Sequence, residues 1–286
     1  MVLEQIYPLK LIEKHWIFAF ILGVSYSIIG IGTSIILFPE DPAIVAVAFI
    51  SIMILPTLNK LLKEEEEIES QKDEFNLFIF LRDHKYIFLI YILLFLGVLL
   101  GFSFFTLGLP ELTTNHIFEN QVNVLYGDAK AGGAVFNTTL FKDIFFNNLT
   151  VLIICFVTAF VLGDGAIFLI TWNASVWGTI FGIYAKNAAA AGFYNPFLSF
   201  VIVIAIAFVH LTLEAFAYIS SATAGGVVSK GILKEKFFSE RFLHIIKNTI
   251  ILIIFAIIVL LVAVTAETFV LGNVGTYQTI IKQSFS

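Results

Sequence analysis

The sequence predicts an all-α, polytopic integral membrane bundle of about seven transmembrane helices, with the N-terminus inside and the C-terminus outside. Three observations predict it. Hydrophobic residues make up 59% of the 286 and charged residues 13%, with a mean hydropathy of +0.97. A soluble domain is nearer half apolar and a quarter charged, so these charges could not cover a water-facing surface. The apolar residues gather into runs of about 20, the length that crosses a hydrocarbon core. Lysine and arginine fall unevenly between alternate connections.

The first run spans roughly Trp16 to Phe38 and is closed by Pro39-Glu40-Asp41-Pro42, because proline cannot continue a helix. The second spans Ala43 to Leu62 and carries Pro56, a predicted kink. A charged stretch from Lys63 to Lys85 follows, with Glu64 to Glu67 read as a solvated inside loop. Tyr86 to Leu109 is the third run, and a polar loop is expected from Pro110 to Lys142. Phe145 to Leu162 and Ala166 to Tyr184 are separated only by Gly163-Asp164-Gly165, a turn signal. Full crossing of these two places Asp164 at the inner water interface, whereas a re-entrant pair would bury its charge. Full crossing is expected. Phe197 to Ala222, a basic loop from Gly225 to Lys247, a seventh run to Val270 and a short polar tail complete the chain. The expected divisions are a transmembrane hairpin over 1–62, a cytoplasmic charged linker over 63–85, and a membrane domain over 86–286.

Cation counting sets the orientation. With the N-terminus inside, the inner segments hold Lys10, Lys14, Lys60, Lys63, Lys72, Arg82, Lys85, Lys230, Lys234, Lys236, Arg241 and Lys247, which is 12 of the 16. The segments Phe75 to Lys85 and Phe237 to His244 read as amphipathic elbows along the inner interface. The scattered cations form no folded basic domain, so no nucleic-acid partner is expected. The expected partners are membrane lipid and other proteins or further copies of the chain, in a multi-pass protein of the cell membrane. The one cysteine, Cys155, excludes an intramolecular disulfide and a cysteine-based zinc site.

Polar side chains at membrane depth carry the functional expectation. His210 and Glu214 are four apart and share a helix face. Asn173 in the fifth run and Glu214 in the sixth each lie about eight residues from the assumed inner helix end, or ~12 Å deep. A buried cluster of Asn173, His210 and Glu214 is therefore expected. Three readings of it stay open: interhelical glue, a site for an ion, proton or ligand, and catalysis. Asn147, Asn148, Asp164 and Glu267 are further candidates. Gly178 and Gly182 make a small-residue step that permits close helix approach. Asn137-Thr138-Thr139 is a glycosylation sequon on the expected outside. No catalytic motif, metal site or cofactor motif is present in the sequence, and no enzyme is expected.

Phe146-Asn147-Asn148-Leu149, Trp172-Asn173-Ala174-Ser175-Val176-Trp177-Gly178, His210-Leu211-Thr212-Leu213-Glu214 and Ala266-Glu267-Thr268 occur in this order over about Tyr86 to Leu271. Together they resemble the stage II sporulation protein M family. Leu211 stands where that family's His-Gly-x-x-Glu element has glycine. The first hairpin, with Phe38-Pro39 and Leu55-Pro56 before an acidic run, is similar to the N-terminal extension of archaeal members. The resemblance implies a non-enzymatic membrane protein. Bacterial members take part in a complex with cell-wall remodelling hydrolases during engulfment. A scaffold or assembly subunit of a membrane complex is the first expectation. A small-solute or ion transporter using the Asn, His and Glu set is the second. A lipid- or membrane-remodelling factor is the third.

Overall fold

A computed structural model describes residues 15–69, 82, 85–128, 138–163, 166–192, 194–235 and 237–284. These residues form ten helices and no strand: α1 (Ile17–Leu37), α2 (Pro42–Glu69), α3 (Lys85–Gly108), α4 (Glu111–Ile117), α5 (Glu119–Asp128), α6 (Thr138–Leu162), α7 (Ala166–Ala190), α8 (Pro196–Lys234), α9 (Glu240–Asn273) and α10 (Gly275–Ser284). Six of them (α1, α3, α6, α7, α8 and α9) are long and apolar enough to cross a membrane, and α2 contributes a shorter apolar stretch, Pro42–Leu58. The chain is an all-α polytopic membrane protein.

Side-chain registers give the direction of each helix. Gly23 on α1 lies against Leu94 and Gly97 on α3, and Ser27 lies against Gly101, so α1 and α3 run parallel. Gly178 meets Leu99 and Gly182 meets Thr106, so α7 runs parallel to α3. Asn148, Leu152 and Phe156 of α6 match Glu214, Ser221 and Gly225 of α8, again in parallel. Gly30 packs on Ile50 across the α1–α2 hairpin, and Gly231 packs on Ile245 across the α8–α9 hairpin. Seven helices therefore alternate in direction. The face where α1 begins is called proximal, and the opposite face distal. Both α6 and α7 have 25 residues, enough for full crossing rather than a re-entrant dip.

Close approach needs residues without side chains. A Cβ at Gly23 would fall 2.5 Å from the Leu94 carbonyl oxygen, and one at Gly97 2.4 Å from that of Phe20. A Cβ at Gly178 would fall 2.4 Å from the Leu99 oxygen. The Gly178 and Gly182 step thus seats α7 on α3, and the Ser103 hydroxyl adds a 2.9 Å bond to the Gly178 carbonyl. One apolar core joins α1, α2, α3, α7 and α8, including Ile31, Ile50, Phe102, Phe181 and Leu211. A smaller one joins α6, α8 and α9 through Leu152, Cys155, Ala217, Tyr218, Ala256, Leu260 and Val264.

Several expected boundaries move. The polar loop from Pro110 folds into α4 and α5, and α6 starts at Thr138 rather than Phe145. Here His116 bonds the Pro39 carbonyl at 2.8 Å, and Gln121 donates to Ser175 at 3.1 Å. The first bond lies just past the distal end of α1, and the second reaches the middle of α7, so α5 packs in between the longer helices with Gln121 fully buried. The acidic run does not begin a loop, since α2 stays helical to Glu69 and through Pro56. Glutamate and lysine are good helix formers, which extends the span into the polar stretch. α8 likewise continues through the expected basic loop to Lys234, and α9 begins at Glu240 rather than after Lys247. Ser239 caps α9 by accepting from the Phe242 amide at 3.2 Å. The polar tail is also helical, with Tyr277 and Ile280 of α10 buried against the main core. The elbow expected over Phe75 to Lys85 lies largely outside the described residues.

Lys186, near the distal end of α7, donates to the Thr106 and Leu109 carbonyls at the end of α3. A cation there satisfies orphan carbonyls and opposes the negative pole of the helix. Lys186→Met is expected to remove about 0.5–1 kcal/mol, read as a fall of a few degrees in thermal midpoint in detergent.

Candidate functional site

The site lies where α6, α8 and α9 meet, one turn to the distal side of the smaller core. Asn148 precedes Leu152 on α6, Glu214 precedes Ala217 and Tyr218 on α8, and Glu267 follows Val264 on the opposed α9. All three are buried, with Glu214 1% and Glu267 8% exposed. The Asn148 side-chain amide donates to Glu214 Oε1 at 3.2 Å. The Glu267 carboxyl lies within hydrogen-bonding reach of the Glu214 carboxyl. Glu214 Oε2 and Glu267 Oε2 find no donor among the described groups.

Carboxylates accept hydrogen bonds and donate none unless protonated. Two buried carboxyls in contact repel if both are charged. A proton held by one of them removes the repulsion and gives that carboxyl an O–H to donate. The arrangement can hold a proton in place between α8 and α9. Among the described residues, no group of three or more His, Cys, Asp or Glu could ligate a metal.

His210, 2% exposed, sits one turn distal to Glu214 on α8. Tyr277 of α10 lies on the same side of the bundle. Burial, then Tyr184 and the Glu267 and Glu214 carboxyls, push its hydroxyl well above the ordinary phenol range.

Asn173 does not share hydrogen bonds with Glu214. Its amide donates at 2.8 Å to the Leu169 carbonyl four residues back on its own helix. The equal-depth expectation rested on ending the sixth segment near Ala222. α8 runs on to Lys234, which puts Glu214 20 residues, or ~30 Å of helix, from that end. Instead Glu214 meets Asn148 and Glu267, both candidates in the sequence but assigned no partner there. Asn147 is exposed on the outer side of α6 beside its buried neighbour. Asp164 and Asn137 lie outside the described residues.

Asn148→Ala is expected to cost about 1–2 kcal/mol, because it strips a buried carboxyl of its donor. Asn173→Ala is expected to change stability by less than about 0.5 kcal/mol, since its bond is local to one helix. Thermal midpoints of the two variants measured side by side check this contrast.

Other buried polar groups join helices where the sequence gave little sign. The Ser221 hydroxyl of α8 donates to the Leu152 carbonyl of α6 at 2.8 Å. Gln121 and Ser175 pair between α5 and α7. Ser27, Gly97 and Gly101 had a readable signal, the same small-residue spacing as Gly178 and Gly182.

No curated protein and no solved structure matches the chain. The family model for Stage II sporulation protein M matches residues 92–270, more than half of the chain. That span begins within α3 and ends within α9, so it contains Asn148, Asn173, His210, Glu214 and Glu267 together. The chain belongs to the Stage II sporulation protein M family.

Proposed function

We propose that this protein is a non-enzymatic assembly subunit of the cell membrane, with its proximal face in the cytoplasm. It holds protein partners or further copies of itself in the bilayer. One observation supports this most: the ionisable groups of α8 and α9 close on one another and on Asn148 at a sealed three-helix junction. Buried polar pairs of this kind fix which helices pack and in what register. The excess of lysine and arginine on the proximal connections supports the orientation.

A second reading is proton-linked transport. It is favoured by the two carboxyl oxygens that need a proton for satisfaction. Reconstituted liposomes carrying a pH-sensitive dye separate the two when combined with crosslink-stabilised partner capture. For an assembly subunit, neither parent nor Glu214→Gln conducts protons, and Glu214→Ala loses its crosslinked complexes. For a transporter, the parent conducts protons and Glu214→Gln abolishes the flux while leaving complexes intact. That second outcome would end the assembly reading.

A further inference from the structure

The turn joining α8 to α9 exposes large apolar side chains away from every packed face of the bundle. Leu233 is 84% exposed, Phe237 65% and Phe238 81%. Phe238 also holds φ at +63°. That left-handed conformation is unfavourable for a bulky side chain, and only glycine adopts it without cost. The buried side of the turn is Phe242, whose ring packs 5.3 Å from that of Phe237.

The level of this turn follows from α6. Gly225 abuts the Phe156 carbonyl, and α6 and α8 run parallel, so Leu162 at the end of α6 is level with about residue 231. The turn therefore lies on the order of 5–10 Å beyond the exposed apolar end of α6, the depth of a headgroup boundary. Exposed apolar residues continue from it along α9 through Leu243, Ile250, Ile254 and Ile258. The turn thus faces the same surroundings as the bilayer-facing stripe of α9. Arg241 is exposed at the start of α9; Lys247 is exposed further along it, near the level where Gly231 packs on Ile245, from which its long side chain can extend back toward the headgroups; and Lys230 and Lys234 occupy the last turns of α8. From 230 to 247 the chain carries five cations (Lys230, Lys234, Lys236, Arg241, Lys247) against two acids (Glu235, Glu240).

We propose that this turn is a binding site for anionic phospholipid headgroups of the proximal leaflet. Phe237, Phe238 and Leu233 enter the interface, and Arg241 and Lys247 engage the phosphates. Aromatic and basic residues are the pair of types that hold such a boundary. The reading is independent of the assembly and transport alternatives.

Two measurements on the full chain test it. Phe238→Cys places a nitroxide at the tip, since the native Cys155 is buried. In phosphatidylglycerol–phosphatidylcholine liposomes, collisions with oxygen should exceed those with a water-soluble nickel chelate, at headgroup depth. Dominant nickel collisions would mean the tip faces water, and shielding from both reagents would mean a protein covers it. Either result overturns the proposal. The second measurement is the ratio of phosphatidylglycerol to phosphatidylcholine retained after detergent purification. Arg241→Gln and Lys247→Gln should each lower it about fivefold. Phe238→Gly relieves the strained φ and should fold as well as the parent, yet retain less lipid. Unchanged ratios in the charge variants would refute the headgroup site.

Discussion

Replacing Glu214 with alanine is expected to lower the thermal midpoint in detergent by roughly 5–10 °C, while glutamine leaves it near the parental value. The asymmetry comes from the hydrogen-bond inventory. Glu214 Oε1 accepts from Asn148, its Oε2 has no donor, and the Glu267 carboxyl lies nearby. Glutamine keeps the acceptor and supplies an amide donor in the place of the shared proton. Alanine supplies neither. It strands Asn148 and Glu267 in a buried junction and opens a cavity at an almost fully enclosed position, for ~2–4 kcal/mol together. Differential scanning fluorimetry of purified parent, Gln and Ala forms checks the order. A glutamine variant as unstable as the alanine variant would show that the carboxyls do not share a proton.

A second large effect is expected at two neighbouring glycines of α8. Gly225→Ala should cost about 2–3 kcal/mol, because its Cβ would sit 2.3 Å from the Phe156 carbonyl oxygen and 3.0 Å from Ala159 Cβ. Backbone on a packed helix has little room to retreat. Gly226 has nothing within 4 Å of such a Cβ. Gly226→Ala should therefore be neutral or gain about 0.5–1 kcal/mol from helix propensity. The two changes are chemically identical and one residue apart, so the difference isolates the α6–α8 contact. Equal midpoints for the pair would contradict the close approach of these helices.

The spans are legible in the sequence because hydrophobic length is a local property. The ends are not, because lysine- and glutamate-rich stretches such as Glu64 to Glu69 and Lys230 to Lys234 extend a helix as readily as they end a span. α4, α5 and α10 have too few apolar residues to stand out. They form by packing against longer helices, as Gln121 does against Ser175 in the middle of α7. At the site, the residue types at membrane depth announce themselves, and Asn148, His210, Glu214 and Glu267 are all visible. Their pairing depends on which helices are neighbours. Chain adjacency points from α8 to α7, but Asn173 on α7 satisfies itself at Leu169. The partner of Glu214 lies instead on α6, two helices back and parallel.

That parallel pairing has a consequence for biogenesis. A ribosome delivers α6 first, α8 two spans later, and α9 last of the apolar spans. Asn148 can meet Glu214 as soon as α8 has inserted, but Glu214 Oε2 then still lacks its counterpart. Until α9 arrives, the nascent chain carries a half-matched acidic group within the bilayer, a costly feature. Completion of the junction thus coincides with insertion of the final long helix. An insertase or membrane protease that senses exposed intramembrane charge could tell a stalled or truncated chain from a finished one at this single point.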